Sequence, residues 1–135
     1  MKYRAIHRGN YGLRRRLAAA LLAAVLGMNA APAQAIDPLY QPQMQLLLFA
    51  LGSLYFLQPL CGPLSSDWRL QAAELIDSDQ PEEDRRLRLT GSFNDGYAAY
   101  ARLHRACTPS AQRAITQMLA EAEALSREIH TRFAE

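Results

Sequence analysis

The chain has 135 residues, with 15 basic and 13 acidic side chains, and half of its residues are hydrophobic. All 13 acids lie after residue 35, together with nine arginines and no lysine, so that part alone carries a net charge of −4. A mildly acidic surface argues against a nucleic-acid role. The missing lysine removes Schiff-base chemistry, the Walker lysine and the Ser-x-x-Lys nucleophile pair.

The first 35 residues read as a secretory signal. Lys2, Arg4, Arg8, Arg14, Arg15 and Arg16 precede a short apolar run, Leu17 to Met28, and Ala33-Gln34-Ala35 supplies the small-x-small cleavage site. Twelve apolar residues are too few to span a bilayer, which takes about 20. The expectation is cleavage after Ala35, export to the periplasm and no stable membrane span afterwards. Arg14-Arg15-Arg16-Leu17 also admits a twin-arginine route; without a Ser or Thr before the arginines, the general secretory route fits better. What remains, residues 36–135, is the size of one domain.

That domain reads as all helix, because no stretch alternates with period two. A first helix is expected from about Pro42 to Gln58, with Pro59 as its stop and the apolar run Leu46 to Leu57 as a buried centre. Cys61-Gly62-Pro63 reads as a turn. A second helix starts near Ser66-Asp67, capped by Ser65 or Ser66, with Trp68, Ala72, Leu75 and Ile76 as its stripe. The third runs from Pro81 to about Cys107, with Leu87, Phe93, Tyr97, Tyr100, Leu103 and Cys107 along one face. Asn94-Asp95-Gly96 lies inside it, and a glycine there points to the close approach of another helix or to a kink. Thr108-Pro109 restarts the chain as N-cap and first helical residue. The fourth helix carries Ala111, Ile115, Met118, Ala122, Leu125, Ile129 and Phe133, a seam that suits either core or a dimer face. A short turn makes helices three and four a long antiparallel hairpin, and the whole a small four-helix bundle.

In an exported chain, two cysteines default to a disulfide between Cys61 and Cys107. The metal alternative, His104-x-x-Cys107 with Cys61 and His130, lacks a second close-spaced ligand pair. The acids Asp77, Asp79, Glu82, Glu83 and Asp84 lack calcium-loop spacing, with Pro81 where a ligand would stand. They lie before and in the first turn of helix three, where the helix dipole favours negative charge. Glu82–Arg86, Asp84–Arg88, Glu123–Arg127 and Glu128–Arg132 read as solvated i,i+4 pairs. No catalytic constellation, metal or cofactor is expected. The aromatic residues Tyr55, Phe56, Trp68, Phe93, Tyr97 and Tyr100 suit a core. Trp68, Arg69, Asn94, Tyr97 and Tyr100 are also what a groove for a sugar or a peptide would use.

Leu60-Cys61-Gly62, Trp68-Arg69, Phe93-Asn94-x-Gly96-Tyr97 and Cys107-Thr108-Pro109, behind a signal segment, resemble a small family of secreted alphaproteobacterial proteins. That family is catalogued as a domain of unknown function with two well-separated cysteines. The resemblance covers about Leu39 to Phe133. It implies an exported helical domain with a disulfide and implies no activity. The expected function is non-enzymatic binding in the periplasm, to peptidoglycan or to a protein of wall growth or division. The alternative is a structural or chaperone-like interaction protein acting through its hairpin, as a homodimer.

Overall fold

The computed structural model describes residues 36–133; the expected signal segment, 1–35, lies outside them. Four helices follow in order: α1 (Gln41–Cys61), α2 (Trp68–Asp79), α3 (Glu83–Leu103) and α4 (Pro109–Phe133). No strand occurs among the described residues. The all-α, four-helix architecture with one disulfide is as the sequence predicts.

α1 is apolar on nearly every side because it is the axle of the fold. Leu48, Leu54 and Leu57 have no exposed surface. Among the described residues α1 alone is long and apolar enough to cross a membrane, yet 56% of that apolar window is buried inside the protein. The other three helices all pack on it. Gln41 meets Arg85, Gly52 meets Phe93 and Cys61 meets Cys107, so α3 runs parallel to α1. Tyr40 meets Phe133 and Gln43 meets Glu128, so α4 runs antiparallel. The expected antiparallel relation of α3 and α4 therefore holds, but the two do not pack on each other; α1 fills the space between them. The α4 seam faces that axle. Ala111, Met118, Ala122 and Leu125 are buried, and Ile115 and Ile129 pack against the same core. The seam is core, not an open dimer face.

Of the two causes expected for Gly96 in α3, close approach of another helix is the one found. A Cβ on Gly96 would stand 2.0 Å from the Phe49 carbonyl oxygen, and one on Gly52 would stand 1.9 Å from the Phe93 carbonyl oxygen. Two glycines, one per helix, thus let the backbones of α1 and α3 touch where they cross.

Several boundaries differ from expectation. α1 continues through Pro59 to Cys61. A proline in the last turn removes only one donor, and the Gly62 N–H still reaches the Gln58 carbonyl at 3.0 Å. The cap of α2 is Asp67, not a serine; its carboxylate accepts from the Leu70 N–H at 3.0 Å. α3 stops at Leu103, four residues before Cys107, and His104 is extended. The chain has to turn back before Pro109, and the bond to Cys61 fixes where Cys107 lies. Leu87 and Leu103 are off the buried stripe, 61% and 73% exposed. That stripe is Arg85, Leu89 and Gly96, with Phe93 and Tyr100 half-buried beside it. The Thr108 cap is as predicted, its hydroxyl accepting from the Ala111 N–H at 3.2 Å.

The charged residues also regroup. Arg127–Glu123 and Arg132–Glu128 form as i,i+4 pairs. Arg86 instead pairs with Asp77 at 2.6 Å, and Arg88 with Asp37 at 2.5 Å. Glu82 is the N-cap of α3, and its carbonyl accepts from the Arg86 N–H at 2.8 Å while the Arg86 guanidinium goes to Asp77 instead. At the pole opposite the disulfide, Arg85 and Asp79 form a buried ion pair, with side chains 11% and 7% exposed. The Arg85 Nε donates to Gln41 Oε1 at 2.6 Å, and the Tyr40 hydroxyl donates to Asp79 Oδ1 at 2.6 Å. The Asp79 bond, then burial, holds the Tyr40 phenol above its usual pKa of 10.

Candidate functional site

α2 is the shortest helix and rests on α1 through Trp68, Ala72 and Ile76. It lies between α3 and α4, so a groove runs along each of its sides. The groove between α2 and α3 encloses about 650 Å³. Its α2 wall presents Arg69, Ala73 and Asp77, and its α3 wall presents Arg86, Thr90, Asn94 and Tyr97. Tyr55, Ala72, Ile76 and Phe93 form the floor.

The Asp77–Arg86 pair closes one end and sets the register of the two walls. α2 and α3 are antiparallel neighbours across a short turn, so stepping back eight residues from Asp77 and forward eight from Arg86 places Arg69 opposite Asn94. Among the described residues, no hydrogen bond or ion pair engages the Arg69 or Asn94 side chain. The aromatic rings collect at this same end. Tyr55 lies 5.9 Å from Phe93 and 6.0 Å from Tyr97, and Phe56 meets Tyr97 edge-on at 5.3 Å. Tyr97 is 41% exposed and offers its ring to the groove.

Three of the five residues proposed from sequence therefore come together: Arg69, Asn94 and Tyr97. Trp68 does not join them. Consecutive helical residues point about 100° apart, so Trp68 turns to the other side of α2 while Arg69 faces the groove. Its indole N–H donates to Gln58 Oε1 at 2.7 Å, and the same oxygen accepts from the Ser65 N–H at 3.2 Å. Gln58 thus ties the α1–α2 connection to α2, a role nothing in the local sequence announces. Tyr100 also lies outside the groove. It is half-buried, stacks on His104 at 6.0 Å, and burial, then nearby Glu121, raises its phenol pKa. Tyr55, Asp77, Arg86 and Thr90 are groove residues that the sequence reading did not select. The signal for Asp77 and Arg86 was opposite charge on the two sides of a short turn.

The second groove, about 600 Å³ between α2 and α4, is floored by Leu47, Leu51 and Trp68. Cys61 and Cys107 are joined to each other, with Cα atoms 4.9 Å apart. Cys107 is thereby taken up, which closes the metal alternative built on His104 and the two cysteines.

The family model described as a protein of unknown function, DUF2385, matches residues 39–133. The chain belongs to that family. No curated protein and no solved structure matches it. The matched span of this DUF2385 domain runs from just before α1 to the end of α4, so both cysteines and both grooves fall inside it. The α2–α3 groove holds a single carboxylate, Asp77, already set against a cation.

Proposed function

We propose that this DUF2385 domain is a non-enzymatic periplasmic binding protein that holds peptidoglycan in the α2–α3 groove. The observation that carries the reading is the meeting of Arg69, Asn94 and Tyr97 at one end of that groove, with the Arg69 and Asn94 side chains free of partners among the described residues. A guanidinium, an amide and an exposed ring serve binding when they are left without internal work. The export signal read in residues 1–35 supports the compartment, and the −4 charge of the remainder makes a cation-bearing groove a local exception to an acidic surface. The test is co-sedimentation of the oxidised protein with purified sacculi. The protein should pellet with them, and Asn94→Ala and Arg69→Ala should reduce pelleting without lowering the melt. A protein that stays in the supernatant overturns the reading.

A further inference from the structure

Within that wall-binding reading, on which this step rests, we infer that the groove takes the peptide of the polymer rather than its glycan, with a free carboxylate seated on Arg69 and Asn94. The two ends of the groove differ in what they leave available. At one end Arg86 is committed to Asp77 at 2.6 Å. At the other, Arg69 has no acidic partner among the described residues and faces Asn94 across the groove. The net charge of the lining is +1, two arginines against one aspartate, and the unbalanced charge sits at the Arg69 end. A planar guanidinium receives a carboxylate through two parallel N–H bonds, and the Asn94 amide adds a donor from the opposite wall.

The floor also suits a peptide. Ala72, Ile76 and Phe93 offer apolar surface and the Tyr55 hydroxyl is the one polar side-chain group of the floor, whereas a glycan asks for polar groups along its whole length. The eight residues from Arg69 to Asp77 span about 12 Å of helix, the reach of three to four residues of extended chain at about 3.4 Å each. The carboxylate therefore sits at the aromatic end, and the peptide runs over Phe93 and Ile76 toward the Asp77–Arg86 pair.

Two probes test this by titration calorimetry on the oxidised protein: N-acetyl-tetraalanine as the free acid, and the same peptide as its C-terminal amide. The acid should bind about tenfold more tightly, in keeping with a charge-assisted contact at a partly exposed site. Arg69→Gln should weaken the acid far more than the amide, bring the two to one level, and leave the melt unchanged. Equal binding of acid and amide, binding of neither, or equal weakening of both by Arg69→Gln overturns the carboxylate assignment. If sacculi still pellet the protein in that case, the wall-binding reading survives without it. If sacculi do not bind while the acid binds through Arg69, the wall reading falls and a carboxylate-peptide site remains.

Discussion

Alanine at Gly96 and at Gly91 makes the same chemical change five residues apart in one helix, and the packing predicts opposite results. At Gly96 the added carbon would stand 2.0 Å from the Phe49 carbonyl oxygen, where ordinary contact begins near 3.4 Å, so α1 and α3 must part by about 1.4 Å at their crossing. The obstacle is backbone in the middle of a helix, and no rotamer relieves it. The penalty belongs at the upper end for overpacking, about 3 kcal/mol or more. Alanine's better helix propensity returns about 1 kcal/mol. The net loss of about 2 kcal/mol lowers Tm by about 8–16 °C in a domain of this size. A Cβ at Gly91 meets nothing within 4 Å. There only propensity acts, and Tm should rise by about 4–8 °C. Both proteins would be melted with the disulfide intact and followed by circular dichroism. A Gly96→Ala protein that melts at or above the unmodified one refutes the close crossing of α1 and α3.

Breaking the disulfide with Cys61→Ser reopens a link across 46 residues and should remove about 4 kcal/mol on chain-entropy grounds; a Tm within 5 °C of the oxidised protein would contradict this. Asp79→Ala leaves the Arg85 charge buried without its partner, a loss of about 3–5 kcal/mol, whereas Asp79→Leu with Arg85→Met together should lose clearly less; chemical denaturation of both proteins decides it. The Tyr40 phenol binds its proton more tightly in the folded protein, through its bond to Asp79. Its contribution is therefore complete below pH 10 and fades as pH rises above that value. Tyr40→Phe should flatten the decline in stability between pH 9 and pH 11, a window chosen to bracket the ordinary tyrosine pKa of about 10.

Periodicity made the helices legible because it is a local property. The seam of α4 could be read from spacing and the Thr108 cap from residue type, while Gly96 left a close approach and a kink both open until the crossing with α1 decided it. The stop at Pro59 was misjudged because a proline's effect depends on how many turns follow it, and here almost none do. Asp79 read as one of a run of solvated acids and Arg85 was not singled out, because charge in sequence carries no record of burial; only the crossing of α1, α2 and α3 brings them together with Gln41 inside the protein. The groove was half legible. Arg69, Asn94 and Tyr97 were chosen for their chemistry and do meet. Trp68 was chosen for the same chemistry, but neighbours on a helix face different ways, and it lies on the other side of α2 from Arg69.

The central position of α1 has a consequence for how the chain acquires its structure. α1 is made first, and the helices that cover it are made later; the last of them, α4, reaches back across about 85 residues, from Glu128 to Gln43. Such distant pairings form slowly. Until they do, a helix apolar enough to be mistaken for a membrane span stands without its cover. The nascent domain is thus most prone to aggregation early. Cys61 has no partner until Cys107 emerges, when α3 is complete and α4 is still to come, so the covalent link can join the ends of α1 and α3 before the last cover arrives.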